Sequence, residues 1–323
     1  YTDKVLDFAW VDDFSKARNF SFEQATKDYI LWLDADDVLP PAEAQALMLL
    51  KSTLPDDVDG VMMRYATAFD AEGNPTFSYY RERLVRRGRG FLWREPVHEY
   101  LEVFGKTITA EITVHHTKPA PPGGERPDAG RNLRIYERQL AQGKELSTRG
   151  LYYYARELRD HDRLDEAAAW FRRFLDTGLG WAEDNISACR ELAAIYARTD
   201  QHDKVLPALF QSFLYDAPRG ETCCQIGYHF KARGAWRLAA FWFELALDLK
   251  KPEGLLGFTQ HDLWGYIPAI ECAVCYDRLG ESEKAEQFNE RAASFKPASE
   301  AVAYNRRYFA QRRNGQPSPF MPA

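Results

Sequence analysis

The sequence predicts two architectures in series: an α/β domain over about residues 1–120 and an all-α helical repeat domain over 131–298, with a linker at 121–130 and a tail at 299–323. Three observations predict this. Tyr29-Ile30-Leu31-Trp32-Leu33 is a short apolar run between a polar helix-like segment and a Pro-Pro break, the pattern of a fully buried parallel strand. It delivers Asp34, Asp36 and Asp37 at its C-terminal end, where open α/β sheets bind their ligands. From about Arg131 onward the strand-like runs stop, and small residues recur at the spacing of paired helices.

Composition sets the outer limits. With 323 residues, 45% hydrophobic and 28% charged, the chain is an ordinary globular sequence long enough for two domains. A net charge of -6 argues against general affinity for nucleic acid or anionic membranes. No apolar run approaches the ~20 residues of a membrane span, and the opening residues lack the cationic-then-apolar pattern of a signal peptide. Cys189, Cys223, Cys224, Cys272 and Cys275 all fall in the second half. Cys272-x-x-Cys275 has no second pair at a ligand-like spacing and lies in a helical apolar pattern. Both thiols therefore read as buried structural groups, with a reducing, cytoplasmic setting as the expectation.

Taken in order, Val5–Trp10 reads as a strand, and Ser15 to about Lys27 as a helix capped by Ser15 or Asp13. Arg18 lies near the start of that helix, where a cation and free backbone N–H groups can meet a phosphate; a surface ion pair is the alternative. Asp34 and Asp36 are two residues apart, so in extended chain both point the same way. Carboxylates held close repel unless a cation sits between them, and hard oxygen ligands suit Mg²⁺ or Mn²⁺. Asp37 reads as an N-cap for the helix from Pro41 to Lys51, which carries proline in its first turn. Gly60–Phe69 and Thr76–Val85 read as strands joined by a turn at Asp70–Asn74. Ile112-Thr113-Val114-His115-His116 is a further β-branched run, and its two histidines fall on opposite strand faces. Lys118-Pro119-Ala120-Pro121-Pro122-Gly123-Gly124 breaks all periodicity and reads as a linker or mobile loop.

Asp34-Ala35-Asp36 after an apolar strand resembles the D-x-D motif of nucleotide-sugar glycosyltransferases with the GT-A fold. The preceding block, Trp10-Val11-Asp12-Asp13-Phe14-Ser15-Lys16-Ala17-Arg18-Asn19-Phe20, resembles that of glycosyltransferase family 2 at this spacing. The resemblance implies a nucleotide-diphosphate sugar as donor, contacted by Asp13, Arg18 and Asp34. It implies Mn²⁺ or Mg²⁺ on Asp34, Asp36 and a late histidine; His116 matches that position best, with His115 adjacent. Val97-His98-Glu99 resembles the acceptor-side segment, in which Glu99 takes a proton from the acceptor and His98 orients it or binds substrate. A satisfied polar pair on a strand edge is the plainer reading of the same two residues. The family often closes a loop over the nucleotide where Lys118–Gly124 falls. A doubly wound fold also needs a strand, turn and helix before Val5–Trp10, so the domain is expected to be N-terminally incomplete.

The helical half carries a repeat. Ala155, Ala193, Gly227 and Ala273 are followed three positions later by Leu158, Tyr196, Phe230 and Tyr276, and twelve later by Ala167, Val205, Ala239 and Ala285. Sixteen positions later come Phe171, Leu209, Phe243 and the exception Asn289; nineteen later come Phe174, Ser212, Ala246 and Ala292. This resembles the tetratricopeptide register, and it predicts an α-solenoid of about four repeats with anchors 38, 34 and 46 residues apart. Bacterial peptide S- or O-glycosyltransferases combine these two parts. The resemblance therefore implies an inverting, metal-dependent transferase with a peptide or protein acceptor at the repeats. A saccharide or lipid-linked acceptor is the second expectation, and a non-catalytic tetratricopeptide adaptor the third.

Overall fold

The computed structural model describes residues 4–117, 128, 130–252 and 254–313. Contacts divide the chain into two units: Tyr1–Gly180 with Leu256–Phe258, and Trp181–Leu255 with Thr259–Ala323. The division falls later than the composition break near residue 120, because the first three helices after the sheet group with the sheet. The loop expected at Lys118–Gly124 lies outside the described residues.

The first unit begins with helix α1 (Phe14–Glu23), followed by strands β1 (Tyr29–Leu31) and β2 (Asp37–Val38), helix α2 (Pro41–Thr53), and strands β3 (Gly60–Phe69) and β4 (Pro75–Arg86). Then come a short hairpin, β5 (Leu92–Arg94) and β6 (Tyr100–Glu102), and strand β7 (Thr107–His116). The order β1-β4-β3-β7-β2 makes a mixed sheet: β3 and β7 are parallel, and the other pairings are antiparallel. One face packs Val58, Val61, Met63 and Ile112 against Leu47 and Leu50 of α2. A second cluster joins Trp32, Val85, Phe91, Trp93 and Leu101 to Phe22 of α1, and so fixes α1 and the β5–β6 hairpin beside the end of β1.

Two strand expectations are corrected. Residues 4–12 form no strand: a strand needs a ladder partner, and Val5 and Leu6 stand exposed without one. The run at 29–33 is a three-residue edge strand, antiparallel to β4 and only half-buried, instead of a buried parallel strand. Its apolar content serves one face, through Trp32, while Leu31 and Leu33 stay exposed.

Helices α3 (Arg131–Ala141), α4 (Thr148–Asp160) and α5 (Leu164–Asp176) complete the first unit. The second unit holds α6 (Ala182–Arg198), α7 (Val205–Gln211), α8 (Gly220–Lys231), α9 (Trp236–Asp248), α10 (Tyr266–Arg278), α11 (Ser282–Phe295) and α12 (Glu300–Arg313). Helices α4 and α5, α6 and α7, α8 and α9, and α10 and α11 pack as pairs, and the register residues are their core. Asn289, the exception, is buried and donates from Nδ2 to the carbonyl of Val302 (3.3 Å), which ties α11 to α12. The tail is thus helical to Arg313, with Val302 and Phe309 buried; residues 314–323 lie outside the described residues.

The turns inside the pairs repeat as well. Asp162, Asp200, Gly234 and Gly280 each take a left-handed backbone (φ 61°, 55°, 68° and 78°), seven positions after the respective anchor. Glycine marks two of these turns in the sequence. Aspartate, which tolerates the same conformation, fills the other two.

The close approach of paired helices can be tested at Gly227. A Cβ there would lie 2.8 Å from two ring atoms of Phe243, which is wholly buried and has nowhere to swing. Gly227→Ala is expected to destabilise the second unit by roughly 1–3 kcal/mol, although alanine is the better helix former by ~1 kcal/mol. Urea unfolding followed by circular dichroism measures this; a stabilised variant would mean that the helices are not in such contact.

Candidate functional site

The carboxylates after β1 do not continue the strand. The amide of Asp34 donates to Oδ2 of Asp37 (2.9 Å), and the amide of Asp37 donates to the carbonyl of Asp34 (3.0 Å). This turn removes the two-residue period, so Asp34 and Asp36 point to different partners. Oδ1 of Asp34 lies 2.8 Å from Nη1 of Arg18, while Oδ1 of Asp36 lies 3.6 Å from Nδ1 of His116.

Asp37 does not cap α2, whose N-cap is Pro40, without a side-chain bond. Its carboxylate is fully buried and pairs with Nη1 of Arg83 at 2.7 Å, where the Arg83 side chain is equally buried. Arg83 lies between the rings of Trp32 and Tyr65, 4.0 and 4.3 Å from their centres. Burial pushes its guanidinium down from the usual arginine value, and Asp37 opposes that. The sequence carries no local signal for this pair, because Arg83 stands in the charged stretch Arg81-Glu82-Arg83; only its burial demands a buried anion.

Asp36, Asp37 and His116 each offer a ligand atom, and these atoms lie within 4.8 Å of one another. The antiparallel register of β2 and β7 sets Asp37 opposite His116, whereas His115 packs against Phe69 with ring centres 4.7 Å apart. The Tyr65 hydroxyl lies 2.8 Å from Nδ1 of His116. Burial, with Asp37 alongside, pushes that phenol well above its usual value. Oδ1 of Asp37 is buried and has no hydrogen-bond partner.

Arg18 joins this turn to the hairpin loop. Besides Asp34 it reaches Oε1 of Glu99 with Nε at 2.6 Å, and its guanidinium lies over the rings of Trp32 and Trp93. Burial raises the Asp34 carboxyl, but the Arg18 hydrogen bond and charge outweigh it and hold the group below the usual carboxylate range. Asp13 is the N-cap of α1, accepting from the amide of Lys16 and the hydroxyl of Ser15, and so sets the helix that carries Arg18. A cleft of about 340 Å³ opens there, lined by Arg18, Phe22, Ala25, Ile30, Trp32 and Leu33.

The loop 95–99 is held from four sides. Carbonyls of Pro96, Val97, His98 and Glu99 accept in turn from the amide of Phe14 (2.9 Å), the hydroxyl of Tyr136 (3.5 Å), Nε of Arg149 (3.2 Å) and Nη2 of Arg81 (3.2 Å). Glu95 and His98 both take left-handed backbones, φ 70° and 52°. Such a conformation costs about 1–3 kcal/mol for each non-glycine residue and persists only where the surroundings over-determine it. The strain turns His98 and Glu99 apart. Glu99 meets Arg18, whereas Nε2 of His98 meets Oε1 of Glu157 on α4 at 2.6 Å. His98 therefore does not hold Glu99, as their adjacency suggests it should.

In the second unit all of Cys189, Cys223, Cys224, Cys272 and Cys275 are buried and unbridged; burial pushes Cys275, for example, up to about 12. Among the described residues no helix is long and apolar enough to cross a membrane.

Comparison with known proteins adds the following. Residues 4–106 match glycosyl transferase family 2. No curated protein matches the chain. Among solved structures the chain is similar to MamA, with 13% identity, a TM-score of 0.42, and coverage of 56% of this chain and 92% of that one. It is similar to YrrB, described as a TPR protein with an unusual peptide-binding site: 17% identity, TM-score 0.41, 56% of this chain and 84% of that one. It is also similar to the C-terminal part of a TPR repeat-containing protein from Cytophaga hutchinsonii, with 14% identity, TM-score 0.48, and 58% and 67% of the two chains covered.

Proposed function

For a chain that joins a family 2 glycosyltransferase domain at residues 4–106 to tetratricopeptide-like helix pairs, we propose transfer of a sugar from a nucleotide-diphosphate sugar to a peptide or protein, with inversion and with Mn²⁺ or Mg²⁺. The observation that carries the reading is the gathering of Asp36 and Asp37, within the family match, with His116 at the end of β7, just beyond it. Their donors fit a hard divalent cation. Oδ1 of Asp37 is buried and unpartnered, and Nδ1 of His116 stands 3.6 Å from Oδ1 of both aspartates, too far for hydrogen bonds.

These three residues would hold the ion, which when bound neutralises the diphosphate that leaves. Arg83 holds the Asp37 carboxylate in place; Arg18, held over Trp32 and Trp93, offers a cation to the donor from the other side of the turn. The proton released by the acceptor goes to a base in the Val97-His98-Glu99 block. Helix pairs in tandem suit recognition of an extended polypeptide, which supports a peptide acceptor over a saccharide.

The experiment is a panel of UDP- and GDP-sugars, with and without Mn²⁺, scored for donor hydrolysis and for mass gain on a peptide library. Metal-dependent hydrolysis and peptide glycosylation are expected. Absence of metal-dependent donor binding in calorimetry would refute the reading and leave a non-catalytic adaptor. Transfer to saccharides alone would correct the acceptor.

A further inference from the structure

We infer that His98, oriented by Glu157, is the group that takes the acceptor's proton, and that Glu99 instead anchors Arg18; this rests on the glycosyl-transfer reading above. Glu99 is poorly placed to be a base. Its Oε1 is 2.6 Å from Nε of Arg18, so the carboxylate is turned to the guanidinium and not to an acceptor.

His98 has the surroundings of an oriented imidazole. Oε1 of Glu157 accepts from Nε2 of His98 (2.6 Å) and from Nδ2 of Asn132 (3.1 Å). Burial raises the Glu157 carboxyl, but these two contacts outweigh it and keep it below the usual range, hence ionised. An ionised carboxylate only accepts, so it fixes the ring proton on Nε2 and leaves Nδ1 as the lone-pair nitrogen. The ring is clamped flat against Tyr153, with centres 4.3 Å apart and planes at 19°, and its backbone carbonyl is held by Arg149. The side chain remains 30% exposed, so an acceptor can reach it. A carboxylate holding one nitrogen while the other takes the proton is the logic by which oriented histidines act as bases.

In the step so assigned, the acceptor oxygen or sulfur forms a bond to the anomeric carbon. The bond from that carbon to the diphosphate oxygen breaks, and its electron pair leaves with the nucleoside diphosphate. The acceptor's proton passes to Nδ1 of His98; the imidazolium keeps its Nε2 proton on Glu157, whose charge balances it. The proton returns to solvent after product release. Glu157 is a positioning residue in this scheme, and α4, which carries it, belongs to the transfer machinery, in keeping with its place in the first unit.

The test uses the full chain and whichever donor of the UDP- and GDP-sugar panel is turned over. His98→Ala is expected to lower kcat by about 10²–10⁴-fold, with donor KM within about twofold, and free imidazole should restore part of the loss. Glu157→Gln should lower kcat on the order of 10–100-fold, and Glu157→Asp should recover part of it. Glu99→Gln should raise donor KM more than it lowers kcat. The inference is overturned if His98→Ala and Glu157→Gln stay within about threefold of the parent, or if the kcat loss falls on Glu99→Gln alone. Should His98→Ala fail to fold, His98→Asn takes its place. Nitrogen-15 spectra of the histidines give a readout without turnover: His98 should be the Nε2–H tautomer, and should lose that preference in Glu157→Gln. An Nδ1–H tautomer in the parent would refute the pair. A parent chain that turns over no donor would refute the transfer reading, while the tautomer still decides whether Glu157 orients the ring.

Discussion

Replacing Arg83 by methionine is expected to destabilise the first unit by about 3–5 kcal/mol, because it leaves the Asp37 carboxylate buried without its partner. Whole domains are stable by only about 5–15 kcal/mol, so this change alone takes a large share. Two effects add. The guanidinium fills the space between Trp32 and Tyr65, which methionine fills less well, and Asp37 loses its 2.7 Å ion pair. Arg83→Lys keeps the charge but not the planar stack, and is expected to lie between the two. The double change Arg83→Met with Asp37→Leu should cost much less than the single one, since no unpaired charge then remains. Native-state hydrogen exchange of the β3 and β4 amides reports on this unit. A loss below about 1 kcal/mol in Arg83→Met would mean that the Arg83–Asp37 pair does not hold this unit together.

Asp36→Ala should remove metal-dependent donor binding, by roughly 10²-fold or more, while the melting temperature stays nearly unchanged. The reasoning separates it from Asp37. The Asp36 side chain is about a third exposed and, among the described residues, its ion-pair contact with His116 is a long one at 3.6 Å, so its loss leaves the fold intact. Yet it supplies one of three atoms able to hold an ion, and losing a ligand of a divalent cation together with the phosphate it carries is worth several kcal/mol, at about 1.4 kcal/mol per tenfold. Asp34→Ala has a different expected signature. It releases Arg18, so donor affinity should change with and without metal alike. Calorimetry with a UDP-sugar, with Mn²⁺ and with chelator, distinguishes the two. Unchanged affinity in Asp36→Ala would refute the metal assignment.

Much of this was legible from residue order because it depends on short-range rules. The four helix pairs were readable because close packing of two helices demands a small residue at a set distance from a large one, and the register positions are buried, apart from the half-buried Phe230. The β3–β4 hairpin was readable from two β-rich runs around Asp70–Asn74, where the amide of Asp70 donates to the carbonyl of Asn74 and Gly73 takes φ 85°. Region 4–106 was recognisable through Asp34-Ala35-Asp36 and the block around Arg18, both of which lie within the residues that match glycosyl transferase family 2.

By itself, then, the sequence determined the β3–β4 hairpin, the four-fold helical register, and the acidic residues and histidines from which a site could be made. Only the tertiary structure decided which of them meet. Alternation along an extended strand says that Asp34 and Asp36 share a face, but a turn closed by Asp37 sends them to Arg18 and His116 respectively. Adjacency says that His98 and Glu99 belong together, but two left-handed residues part them, and His98 finds Glu157, 59 positions away. The pairing of Asp37 with Arg83, 46 positions apart, has no local signature at all. Burying a charge is costly enough to require a partner, but which partner is chosen depends on how the strands align, and that is settled by packing across the whole sheet.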